Sequence, residues 1–67
     1  MPKVTIHPGG TYELLDDGTS RWTFQATVDG RVGIVEIWLP GEPTYEQAER
    51  AAKGLLEEDP DQLEGIG

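Results

Sequence analysis

Few side chains in this sequence are equipped for chemistry. There is no cysteine and a single histidine, His7. Thiolate chemistry, a disulfide framework and zinc sites built from Cys or several His are therefore excluded. His7 stands beside Pro8-Gly9, where an ordinary surface histidine at a strand end accounts for it. No dinucleotide fingerprint, phosphate-binding loop or His-Glu-x-x-His helix occurs. Asp16-Asp17 offers neighbouring oxygens to a hard cation, but calcium loops spread their ligands over a longer segment and usually close on a glutamate. Followed by Gly18-Thr19, the pair reads as a turn whose acids accept local backbone bonds. Carboxylates that divide acid and base work need burial to separate their pKa values, and a chain of 67 residues offers little pocket volume for that. The sequence predicts no catalytic residue, no metal and no cofactor. It reads as a protein that is not an enzyme.

Charge is the more informative feature. Thirteen acids against five bases give a net charge of −8, a large negative field for so short a chain. It disfavours membrane surfaces and a nucleic-acid backbone, which calls for clustered Lys and Arg. It serves solubility, and it would attract a basic partner. The acids Glu57, Glu58, Asp59, Asp61 and Glu64 follow one another without an intervening base. Negative charge at the end of a helix opposes the macrodipole, at about 0.3–1 kcal/mol for a well-placed group, so this run is a candidate for steering a partner as well as an ordinary solvated tail. A domain of this size usually needs a disulfide, a metal or a partner. The first two are excluded, leaving close packing, self-association or a bound protein. The longest apolar run, Ile37-Trp38-Leu39, is far too short to span a bilayer. Met1-Pro2-Lys3 leads into no apolar segment, so no signal peptide is expected and the cytoplasm is the expected compartment.

The elements that would position these groups can be read from periodicity. Trp22, Phe24, Ala26 and Val28 alternate with Arg21, Thr23, Gln25 and Thr27, the period of a half-buried strand. Asp29-Gly30 is a preferred pair for a two-residue type I′ turn, and Arg31–Leu39 returns with Val, Ile and Trp. With that turn the register is fixed: Val28 opposite Arg31, Ala26 opposite Gly33, Phe24 opposite Val35, Trp22 opposite Ile37. That face is apolar and should be the core. Before the hairpin, Val4 and Ile6 alternate with Thr5 and His7, Pro8-Gly9-Gly10 interrupts, and Thr11–Leu15 resumes. These two pieces form either a hairpin, or a loose arm followed by one strand.

Pro40-Gly41-Glu42-Pro43 ends the long hairpin. Thr44-Tyr45-Glu46-Gln47 is a capping-box pattern that should open a helix from about Tyr45 to Glu58. Tyr45, Ala48, Ala51, Ala52, Leu55 and Leu56 make its apolar stripe, and Glu46–Arg50 and Glu49–Lys53 are i,i+4 pairs in the favourable order. Gly54 is a weak spot. Asp59-Pro60 stops the helix, and residues 59–67, acidic and glycine-rich with only Leu63 and Ile66 apolar, are expected to be a disordered tail. The predicted fold class is α+β: one domain over residues 1–58, an antiparallel sheet of three strands, or four, with one C-terminal helix on one face.

The second face of that sheet is the candidate binding surface. It pairs Thr27 with Val32, Gln25 with Ile34, Thr23 with Glu36 and Arg21 with Trp38, a mixture where a solvent-facing sheet is normally polar. Arg21 is placed to stack on the Trp38 indole, and both residue types are favoured at interfaces. Two readings stay open: the face contacts a partner, or the N-terminal segment covers it through Val4 and Ile6. A homodimer closing the same faces on each other competes for the same residues. The open sheet edges are a generic site for pairing with another chain.

Trp22 on the second strand, the Gly30 turn and Thr44-Tyr45-Glu46-Gln47-Ala48 opening the helix make residues 22–58 resemble the arm-binding domain of phage-type integrases, the AP2-like group. That resemblance implies three strands and a helix, with Arg21, Gln25, Arg31 and Trp38 facing DNA. The sheet lacks the family's basic residues, however. Leu39-Pro40-Gly41 followed by Thr44 and the Ala-rich helix is similar to HicB-type antitoxins, which implies a small acidic module that neutralises a basic RNA-cleaving toxin; the strand that family places between Pro-Gly and the helix is missing. The sequence as a whole points to a protein-binding module, with Trp38, Ile34 and Arg21 in contact and Glu57, Glu58 and Asp59 steering. Its expected partner is a basic protein, and the module is an inhibitor, antitoxin-like factor or accessory subunit of phage or mobile-element origin. The alternative is nucleic-acid binding through the sheet.

Overall fold

The computed structural model describes residues 2–65. Ile66, counted above among the apolar residues of the tail, lies outside them, as do Met1 and Gly67. The chain runs β1 (Val4–Ile6), β2 (Thr11–Leu14), β3 (Thr19–Val28), β4 (Arg31–Pro40), α1 (Tyr45–Glu58), a 3-10 turn (Pro60–Gln62) and β5 (Glu64–Gly65). All pairings in the sheet are antiparallel, and one helix packs on one face, an α+β architecture.

The β3–β4 hairpin is the spine. Asp29 and Gly30 both take positive φ, 51° and 85°, the requirement of a type I′ turn. The register then runs unbroken from Val28↔Arg31 to Thr19↔Pro40, with Phe24 opposite Val35 and Trp22 opposite Ile37. Phe24, Val28, Val35 and Leu56 are fully buried, and Ala26, Ala48 and Ala52 have no exposure at all. Burying each large apolar side chain contributes roughly 1.5–3 kcal/mol. The small Ala48 and Ala52 side chains let α1 lie close to the sheet. Thr44 caps the helix as the pattern requires: the Gln47 amide donates to Thr44 Oγ1 at 3.2 Å and the Thr44 amide to Gln47 Oε1 at 2.9 Å. Of the two surface pairs expected on α1, Glu46–Arg50 closes at 3.1 Å; among the described residues no Glu49–Lys53 ion pair forms.

The N-terminal pieces are neither a hairpin nor a loose arm. β1 and β2 lie end to end along the same edge of β3, with Val4↔Val28 through Ile6↔Ala26 followed by Thr11↔Thr23 through Leu14↔Ser20. Between the last pair of one and the first of the other, five steps on the outer strand face three on β3. The two surplus residues are absorbed around Pro8-Gly9-Gly10, where Gly9 has φ 93°. Gly10 lies directly over Phe24: a Cβ there would overlap the Phe24 ring and stand 3.2 Å from the Thr23 carbonyl oxygen. The Gly10 amide donates to the Tyr45 hydroxyl at 3.1 Å, tying the bulge to the start of the helix. The sheet therefore has five strands in four positions, more than the three or four expected.

Residues 59–65 correct the expectation of a disordered tail. The 3-10 turn reverses the chain after α1, and β5 pairs Glu64 with Ile34 and Gly65 with Gly33. The cause is Gly33, whose missing side chain leaves space on the core face. A Cβ there would overlap the Glu64 carbonyl oxygen and come within 2.8 Å of Leu63 Cγ. Leu63 uses that space to pack against the core.

Candidate binding face

The core face of the sheet is covered by α1, and β1 turns Val4 toward that core, where it is 7% exposed. Cross-strand partners share a face, so Ile6, opposite Ala26, also points to the core side. The N-terminal segment thus extends the sheet sideways; Val4 and Ile6 do not cover the second face. From this segment only Thr5 and His7 reach that face, with His7 Nε2 lying 2.7 Å from Thr27 Oγ1. His7 is a part-buried hydrogen-bonding residue of the sheet surface.

With nothing over it among the described residues, the second face exposes a line of apolar side chains on β4: Val32 at 45%, Ile34 at 38% and Trp38 at 58%. The period of two puts all three on the same side of one strand, with Glu36 between Ile34 and Trp38. Arg21 lies opposite Trp38 in register, but its guanidinium does not go to the indole. Nη2 lies 3.4 Å from Glu13 Oε1 and Nε 3.9 Å from Glu36 Oε2. Arg21 is thus held between carboxylates on the two flanking strands, which corrects the expected cation–π stack. Both pairs are solvent-exposed and contribute little to stability; their effect is to neutralise the base and leave the Trp38 ring free.

The acidic residues are not gathered in one place. Glu57 and Glu58 end α1 and Asp59 caps it, in the helix layer on the other side of the sheet from Trp38 and Ile34. Glu64, by contrast, is carried by β5 to a position beside Ile34, so one acid of the run joins the second face. Asp16-Asp17 forms the β2–β3 turn. Asp17 Oδ1 accepts from the Thr19 hydroxyl at 2.6 Å and the Thr19 amide at 3.0 Å. Those bonds, the hydroxyl first, hold its carboxyl below the usual carboxylate range. Among the described residues no group of His, Asp and Glu is arranged to hold a metal ion.

Sequence reasoning missed an aromatic cluster on the core side of the sheet, behind Trp38. Tyr12 stacks on Trp22 with centroids 4.6 Å apart, and Tyr45 meets Trp22 and Phe24 edge-on at 6.1 and 5.6 Å. Trp22 is held by the bond from its Nε1 to Ser20 Oγ, 2.9 Å. The signal was present in the residue types, but Tyr12 reaches Trp22 only with the two-residue bulge between β1 and β2.

No protein-family model matches the chain, and neither curated proteins nor solved structures provide a match. The site is therefore read from its own geometry. That geometry offers an uncharged aromatic and two aliphatic side chains on one strand, with Glu13, Glu36 and Glu64 around them. No helix among the described residues is long and apolar enough to cross a membrane.

Proposed function

We propose that the protein is a small acidic binding module that docks a basic protein through the second face of its sheet, acting as an inhibitor, antitoxin-like factor or accessory subunit of phage or mobile-element origin in the cytoplasm. The observation that carries this reading is the uncovered line Val32, Ile34, Trp38 on β4. Trp38 and Ile34 supply the apolar contact. Arg21, fixed by two carboxylates, supplies a rigid polar margin. Glu13, Glu36 and Glu64 around the line match a positively charged rim on the partner, and Glu57, Glu58 and Asp59 add to the long-range field that raises the encounter rate. No catalytic role is assigned to any residue.

The test is capture from a lysate of the source organism on immobilised protein, with and without nuclease, comparing the natural chain with Trp38→Ala and Ile34→Ser. A basic protein retained after nuclease treatment and lost with both variants is the expected result. Retention unaffected by both variants would remove the face from the interface. Capture that disappears with nuclease would favour nucleic-acid binding through the sheet, with affinity falling steeply as salt rises.

A further inference from the structure

The outer edge of β4 is only partly used. β5 covers it at Gly33 and Ile34 and no farther. In a two-residue hairpin Val28 and Arg31 exchange both backbone bonds, so alternate β4 residues turn their amides and carbonyls away from β3. From Glu36 onward those outward groups belong to Glu36 and Trp38, and no strand meets them among the described residues. Beside this free edge runs a groove of about 390 Å³ between β4 and α1, lined by Trp38, Leu39, Ala51 and Leu55 together with Glu36 and Gln62. A free ladder beside an apolar groove is the arrangement that receives an extended peptide: the backbone bonds give affinity and the groove takes alternate side chains.

The two edges of the sheet differ in charge, and this selects the occupant. The groove on the β1 side is lined by Arg50 and Lys53 as well as Glu46 and Glu49. The β4 groove has Glu36 and no base, and Glu57 and Glu58 end the helix that forms its wall. A second copy of the chain, itself at −8, would bring acid against acid along this edge. We propose that the β4 edge at Glu36–Leu39 accepts an extended segment of a basic protein as an added strand, with an apolar side chain of that segment seated over Leu39, Ala51 and Leu55. This inference rests on the protein-binding reading above and names how that partner is held.

The test uses the full chain labelled with 15N and a blocked eight-residue peptide of alternating valine and lysine, against the same peptide N-methylated at alternate amides. Saturable binding is expected, with shifts and slowed hydrogen exchange at the Glu36 and Trp38 amides and shifts at Ala51 and Leu55. The methylated peptide should bind roughly 10-fold more weakly for the loss of two backbone bonds. Glu36→Lys should weaken binding more than Glu49→Lys, which makes the same charge change in the groove on the β1 side. Equal affinity for the methylated peptide, or absence of binding, overturns strand addition while leaving the face reading to its own capture test. Equal weakening by Glu36→Lys and Glu49→Lys leaves only the net charge at work and also overturns it. A concentration-dependent doubling of mass with the same two amides protected gives the edge to a second copy and overturns the basic occupant.

Discussion

Gly33→Ala tests the docking of the C-terminal segment more sharply than any deletion. A Cβ at this position cannot coexist with Leu63 and Glu64 where they now lie. If the segment stayed in place, the overlap would be a case of overpacking, costing about 1–3 kcal/mol. Release is the cheaper outcome. It forfeits a two-pair ladder, at about 0.5–1.5 kcal/mol per hydrogen bond, and the partial burial of Leu63. It regains about 1–2 kcal/mol of backbone entropy for each residue set free. Alanine also removes the entropic handicap of glycine in a strand, about 0.5–1 kcal/mol. On these figures release returns at least as much as it forfeits, so the variant should melt no more than a few degrees below the natural chain while Leu63–Gly65 lose their amide protection. Hydrogen exchange read by NMR, alongside a thermal melt, measures both quantities on one sample. A chain truncated after Asp59, which lacks the nearest atoms a Cβ at Gly33 would meet, should then melt slightly higher with the substitution than without it, by the roughly 0.5–1 kcal/mol that alanine gains over glycine. A melting point lowered by more than about 8 °C, which is upward of 1 kcal/mol for a domain of this size, with residues 63–65 still protected, would refute the reasoning.

Three further outcomes are expected. Gly54→Ala, with nothing within 4 Å of the added Cβ, should stabilise the helix by about 0.8–1 kcal/mol, read as a rise in melting temperature. Gly10→Ala should destabilise by about 1–3 kcal/mol, because the new methyl group meets the buried Phe24 ring; equal stability in a denaturant titration would mean that the bulge moves freely. Asp17 titrates below its ordinary value in the fold, so its stabilisation should be complete above pH ~4, the unfolded value, and disappear as the pH falls through the lowered folded one. Thr19→Val should return that carboxyl toward its ordinary value, followed by 13C NMR of the Asp17 side chain.

The hairpin and helix were legible because local signals decide them. Asp29-Gly30 fixes the turn, the alternation on both sides fixes the register, and Thr44 with Gln47 fixes the start of α1. What escaped depends on contacts between distant segments. Gly33 in the sequence is simply a residue without a side chain; only with β4 placed does it become a seat for Leu63. Arg21 pairs with Glu13 once β2 joins β3, and β2 joins β3 in that register only through the bulge. The candidate face was legible as Ile34, Val32 and Trp38 on alternate positions of one strand. That it stands uncovered required knowing that Val4 and Ile6 point the other way.

The bulge between β1 and β2 carries a rule about register. Its surplus over β3 is two residues, an even number, so Val4 and Ile6 remain on the side of the sheet that Tyr12 and Leu14 occupy. A slip of β1 along β3 by one residue would turn Thr5 and His7 inward, so an added residue is harmless only where the Pro8-Gly9 loop, with open space around Gly9, takes it up outside the strand. In a library of insertions at Pro8-Gly9, the folded members should be those that keep the Val4–Val28 register of β1, whatever the length of the loop.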